Sequence, residues 1–178
     1  MAENYYTGVV TNVITAPETA FATPASPTGA DYVDKVTSFT WNVANNNIRS
    51  HGIGEGRDAT VNVNGVLDVN GSMEWEFTDP DFLKYCVIGE VSGAGTPADP
   101  YEVQERNLIG YAAGQVPTIT LEVQKDHNND DVVTFDGVSI NTWTLTATQG
   151  EIVTCSADWI ARTATSSTTY QAYTIPPN

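Results

Sequence analysis

The chain has 178 residues, 40% of them hydrophobic, and its 22 acidic against 7 basic side chains give a net charge of −15. That length suits one domain with a real core and leaves no comfortable room for a second. Its lysines, Lys35, Lys84 and Lys125, are too few to grip phosphates, which excludes tight nucleic-acid binding but not a surface that nucleic acid slides past. No apolar run is long enough to span a bilayer, and Met1–Tyr6 lacks the basic-then-apolar build of a secretory leader. Acidity with few lysines would also suit a halophilic origin, although only 16% of residues are charged. Cys86 and Cys155 lie in apolar-patterned segments and read as buried free thiols rather than a disulfide.

In chain order, Gly8–Ile14 is a short β-like run. Ala16–Gly29 follows, where prolines and small residues rule out helix and favour an extended arm. Residues 1–35 as a whole read as this N-terminal arm, either a partly mobile terminus or an element ordered on a neighbour. Ser38–Val43 alternates Phe39, Trp41 and Val43 as a strand, then runs into a polar, glycine-containing loop, residues 44–58, with Arg49, His51 and Arg57. Thr60–Asn64 is a strand, and Asn64–Gly65 signals a hairpin pairing it with the strand that follows.

That next strand is the most legible stretch. Leu67, Val69, Gly71, Met73, Trp75 and Phe77 alternate with Asp68, Asn70, Ser72, Glu74 and Glu76, giving one apolar and one polar face. Gly71 at its middle suggests a bulge or bend. Thr78-Asp79-Pro80-Asp81 reads as a helix start with Thr78 or Asp79 as cap, the helix lying near residues 79–88 and stopping at Gly89. Glu90–Pro100 reads as a surface loop, Tyr101–Arg106 as a possible strand, and Asn107–Gln115 stays ambiguous. Thr118–Val123 is a strand, Asp126–Asp131 a polar turn into Val132–Phe135, and Gly137–Arg162 a closing hairpin. In that hairpin the apolar parity switches between Ile140 and Trp143, which predicts a bulge near Asn141. The sum is a mainly β chain: two packed antiparallel sheets, a sandwich or barrel over residues 36–162 with one short flanking helix, and a tail over 163–178. Sheet edges in such a fold need covering, often by another subunit.

Chemistry is sparse. Glu74 and Glu76 share a strand face about 6.6 Å apart, a spacing found in carboxylate pairs of glycosidases, but a plain polar face accounts for them. Asp126–Asp131 lacks the glycine and the closing glutamate of a helix-flanked calcium loop. Gly52–Gly56 has no strand-to-helix crossover around it, so it is no dinucleotide fingerprint. There is no nucleophile elbow, and His51 and His127 sit in separate loops. No catalytic residue, metal or cofactor is expected.

Several segments together resemble the tail tube proteins of tailed bacterial or archaeal viruses. Glu18-Thr-Ala-Phe-Ala-Thr23 is similar to a Glu-Thr-x-aromatic-Gly-Thr element near the start of that family, with Ala22 where glycine is usual. Asn45–Arg49 and Gly54–Asp58 leading into Asn70–Trp75 and the Asp81-Phe-Leu helix, and Gly137–Val153 closing with Ser156–Ala161, follow in the family's order. The resemblance implies sixfold rings whose inner sheets join into one β-barrel. Those rings stack into a hollow virion tail tube through which DNA leaves the capsid, and type VI secretion and contractile injection tubes are similar. It further implies self-association, tape measure, tail terminator and baseplate or tip partners, synthesis in the host cytoplasm, no membrane insertion and no enzymatic activity.

An acidic polar wall suits a conduit that must not hold its cargo, and Asn62, Asn64, Asp68, Asn70, Ser72, Glu74 and Glu76 form a face without lysine or arginine. That face is read as lining the lumen, the alternatives being outer solvent or an inter-subunit surface. Glu18, Phe21, Arg49 and Arg57 are the expected inter-ring or inter-subunit contacts. The competing reading is a carbohydrate-binding or carbohydrate-cleaving β-sandwich using Trp41, Trp75, Trp143 or Trp159 as a platform, although all four fall at inward positions.

Overall fold

A computed structural model describes residues 12–28, 33, 35–50, 61–78, 80–87, 89–105, 117–126 and 131–167. Its longest strand, β9 (Asp131–Thr146), has 16 residues, more than one flat sheet ordinarily accommodates. The β9 strand is therefore shared. Its first part pairs antiparallel with β8 (Ile119–Asp126) on one side and β11 (Thr163–Ser167) on the other. Its second part pairs with β10 (Thr154–Ala161). From there the sheet continues through β5 (Leu67–Glu76) to β2 (Val36–Asn45), and β1 (Asn12–Pro17) closes the far side on β8.

The result is one curled seven-stranded sheet, not the two separate packed sheets expected from the strand count. The predicted bulge is present. Asp158 faces Thr142 while Trp159 faces Ile140, so Asn141 is the extra residue. Gly137, at a φ of +66°, sits nearby where β9 passes from one half of the sheet to the other.

Both halves of the curl point apolar side chains at one core. Val13, Leu121, Val123 and Phe135 come from the β1–β8–β9 half, Val69, Met73, Trp75 and Trp159 from the other. Rings join the halves: Phe135 and Trp159 lie 4.8 Å apart, with Phe39 and Trp41 beside them. Simple alternation fails in β8, which is buried on both faces. Opposite its apolar residues, Thr120, Glu122 and Gln124 are buried too, with Gln124 donating to Glu122 at 2.9 Å and Asn12 to Gln124 at 3.5 Å. Burial raises the Glu122 carboxyl above its ordinary pKa, and the Gln124 bond offsets part of this.

Four local expectations change. First, Asn64–Gly65 is not a hairpin turn onto β5. The β2–β5 ladder ends at Asn45 and Leu67, and the chain between them forms its own small hairpin, β3 (Ile48–Ser50) against β4 (Val61–Val63). Gly65 lies against the Asn46 backbone at the junction. Second, the helix α1 spans only Leu83–Cys86, with Phe82 at its N-cap and no side-chain cap. Leu83 instead donates to the Pro80 carbonyl at 2.9 Å. Of the expected caps, Asp79 lies outside the described residues. Third, Gly89 opens a strand, β6 (Gly89–Ser92), which pairs with β7 (Glu102–Glu105), so the expected loop is the arm and tip of a hairpin. Fourth, the tail begins as β11. Asn107–Gln115 lies outside the described residues.

Of the two thiols expected to be buried, Cys155 is buried and Cys86 half-buried. Cys86 and Cys155 are unpaired, and burial, then the neighbouring Cys155, push the Cys86 thiol up to about 12.

Gly71 does not bulge: its pairing with Trp41 and Trp159 runs straight through. A Cβ there would overlap both the Thr40 carbonyl and the Trp159 indole, so the glycine is a close-approach site. Gly71→Ala should cost about 1–3 kcal/mol through overpacking, measured by denaturant unfolding. An unchanged stability would mean that the indole moves aside freely.

Candidate functional site

The second half of the sheet presents a flat polar surface. Because strand side chains alternate, the residues opposite the core on β5 are Asp68, Asn70, Ser72, Glu74 and Glu76. Register extends this face sideways in rows. Glu74 lies between Ser38 and Ser156, with Thr144 beyond. Ser72 lies between Thr40 and Asp158, with Thr142 beyond.

Side chains bond to one another across the surface, both between strands and along β5. Thr142 donates to Asp158 at 2.7 Å, Thr40 and Ser72 share a 2.8 Å bond, and Asn70 donates to Asp68 at 3.1 Å. At the centre lies a shallow depression of about 390 Å³, bordered by Thr40, Asn42, Asn70, Ser72, Asp158 and Ile160.

Two of the seven expected wall residues are elsewhere. Asn62 sits on β4 opposite Arg49, in the separate small hairpin, and Asn64 is exposed in the link to β5. The face is also not free of bases at its rim, since Lys35 reaches Glu76 at 3.5 Å. Sequence reading missed Thr40, Thr142, Thr144, Ser156 and Asp158. Their signal was present in the same alternation, but only the register shows that these strands lie beside β5.

This half-sheet has two open edges among the described residues. On one side β2 pairs only with β5, and on the other Asn141–Thr146 of β9 pairs only with β10. Apolar side chains of core parity reach these edges without full cover. Trp143 is 37% and Leu145 42% exposed on β9, and Val43 is 46% exposed on β2. Trp143 therefore departs from the inward reading, whereas Trp75 and Trp159 are buried and Trp41 packs on the core.

Of the expected contact residues, Glu18 is turned inward. Its carboxylate accepts the Ala22 N–H at 2.9 Å, the Thr118 hydroxyl at 2.6 Å, the Thr120 hydroxyl at 3.1 Å and the Gly137 N–H at 2.8 Å. Thr120 in turn accepts the Ala25 N–H at 2.9 Å. The described part of the N-terminal arm is thus strapped to its own sheet, an outcome neither arm reading anticipated. A deletion of residues 1–30 would take away β1 and this anchor, and so would disturb the fold as well as any contact the arm makes. Phe21, 54% exposed under the Arg162 guanidinium, is the part of the turn open to a neighbour. Arg49 lies on β3, and Arg57 is outside the described residues.

A polar half-sheet flanked by open, partly apolar edges is the build of a structural subunit made for assembly. The chain belongs to the phage tail tube protein family, whose model matches residues 8–178. It resembles a chain of an extracellular contractile injection system sheath–tube complex in the extended state, with TM-score 0.50, 8% identity, and 87% of each chain covered. It also resembles a chain in the sixfold-symmetrised baseplate of the anti-feeding prophage, with TM-score 0.50 and 7% identity, over 93% of this chain and 97% of the other. At such identities these likenesses speak to the fold alone. No curated protein sequence matches the chain.

The Glu18 turn holds Ala22 in a backbone conformation that suits glycine. Ala22 has a φ of +50°, in the left-handed region that disfavours any side chain. Ala22→Gly should relax that strain and raise stability by up to about 1 kcal/mol, net of the glycine's greater unfolded-state entropy. A lower melting temperature for Ala22→Gly would refute this account.

Proposed function

We propose that this tail tube protein closes into six-membered rings whose polar half-sheets join edge to edge as one β-barrel, that the rings stack, and that DNA passes through the bore. The observation that carries this reading is the direction of the two open edges. The strands β2, β5, β10 and β9 alternate in direction, so the two outermost run oppositely. A copy related by rotation brings its β2 to β9 of the next with antiparallel pairing preserved, and only ring closure removes every edge. Six copies are supported by the sixfold symmetry of the anti-feeding prophage baseplate. The sheath–tube and baseplate settings of the two structural neighbours support further tail partners, for which tape measure, terminator and tip proteins are the proposed candidates.

In this arrangement Trp143 and Leu145 of one subunit meet the Phe39, Trp41 and Val43 side of the next. Leu145→Asp should leave the isolated subunit within about 1 kcal/mol of the parent, because the side chain is already 42% exposed, yet abolish rings seen by sedimentation and electron microscopy. Normal rings from the variant would place the subunit contact elsewhere.

The Asp68–Glu74 face then lines the bore, where carboxylates, hydroxyls and amides repel or ignore phosphate. Asp68→Lys with Glu74→Lys should leave tubes intact and slow DNA ejection, most strongly at low salt where screening is weakest. Intact tubes ejecting DNA at the parental rate would assign this face to the outside.

A further inference from the structure

We infer that the Asp136 carboxyl keeps its proton in the folded subunit, beside the Glu18 anchor that fastens residues 18–28 to the sheet. The geometry distributes donors unequally. Each Glu18 oxygen receives two donors, a backbone N–H and a threonine hydroxyl, so a full charge is accommodated there.

Asp136 has no such provision. Its Oδ2 receives only the Thr163 hydroxyl, at 3.3 Å, and its buried Oδ1 has no partner among the described residues. Thr120 lies close enough to act on both carboxyls, but its one hydroxyl proton is directed at Glu18 and its oxygen receives Ala25. Protonating Asp136 would relieve its buried, unpaired Oδ1 of a charge that no donor there compensates.

Among the described residues no salt bridge to either carboxyl is formed. Arg162 donates its backbone N–H to the Asp136 carbonyl at 3.0 Å, but its guanidinium lies over the Phe21 ring. Lys35, another described base, is paired with Glu76 at the rim of the other half-sheet. Glu122, two residues beyond Thr120 on the same face of β8, adds another acid and no base. Burial raises the Asp136 carboxyl above its ordinary value and the Glu18 charge raises it further, while the Thr163 and Thr120 hydroxyls lower it. The stability contributed by neutral Asp136 is therefore complete below the unfolded value, about 3.9. It is lost as pH rises through the elevated folded value.

Side-chain carboxyl NMR of the full chain tests this directly. The Asp136 carboxyl carbon should titrate at a higher pH than the exposed aspartates, and titration together with them would overturn the proposal. Unfolding of Asp136→Asn supplies a second readout, since the amide mimics the neutral acid. The variant should equal or exceed the parent at neutral pH and lose that advantage on acidification, whereas a variant weaker than the parent at neutral pH would overturn the proposal. Limited proteolysis distinguishes the partners. Cleavage within residues 18–28 should accelerate in Glu18→Gln, whose amide opposes N–H donors, and stay at the parental rate in Asp136→Asn. Equal acceleration in both would reduce Asp136 to an ordinary acceptor.

Discussion

Sixteen residues of β9 serve two half-sheets, and most of the architecture follows from that double use. The first half is paired on both sides and carries the fully buried residues Val132, Phe135 and Val138. Past the bulge at Asn141 only β10 remains beside it. The backbone on the other side is an edge whose N–H and C=O groups need partners that the described chain does not supply. One strand thereby both ties the two halves of the core together and creates an open edge. The same sharing explains the partial exposure of Trp143 and Leu145. They have the parity of core residues but stand where the other half of the curl no longer covers them.

The chemical division of the half-sheet follows from pleating. Every residue that faces away from the core on β2, β5, β9 and β10 is open to selection for something other than folding. Here those positions are occupied largely by hydroxyls, amides and carboxylates, with Ile160 and Ala44 the apolar exceptions. With a chain charge of −15, copies repel one another at long range, so the proposed ring would rest on short-range pairing and apolar contact at the edges. Lys35 at the rim is the one described base paired with this wall, and its bond to Glu76 spares the centre of the surface any positive charge.

A different solution holds the N-terminal segment. Prolines and small residues give residues 16–28 little apolar surface to bury, so packing alone would hold them weakly. A single carboxylate gathering four donors supplies the attachment instead. Charge-assisted bonds of this kind are stronger than neutral ones, and their directions fix the turn closely enough to impose a left-handed backbone on Ala22. The same anchor orients Phe21 outward, placing an exposed ring beside a rigid support.

By itself the sequence determined the strands with strict alternation, namely β2, β5 and the β9–β10 hairpin, together with the bulge at Asn141 and the buried Cys155. In each case one buried face imposes a period of two that is visible without knowing the partner. It also carried the order of motifs that pointed to tail tubes. Only the tertiary structure decided which strands are neighbours, and so which Thr, Ser and Asp residues join the β5 wall. It also decided that Asn64–Gly65 opens a side hairpin and that one sheet curls where two were expected. Those outcomes depend on long-range pairing, because a turn signal or an alternating run describes local geometry and is silent about what lies across the ladder. For the same reason Glu18, conspicuous only as part of a short motif, becomes intelligible once Thr118, Thr120 and Gly137 are brought to it from a hundred or more residues away by the β8–β9 ladder.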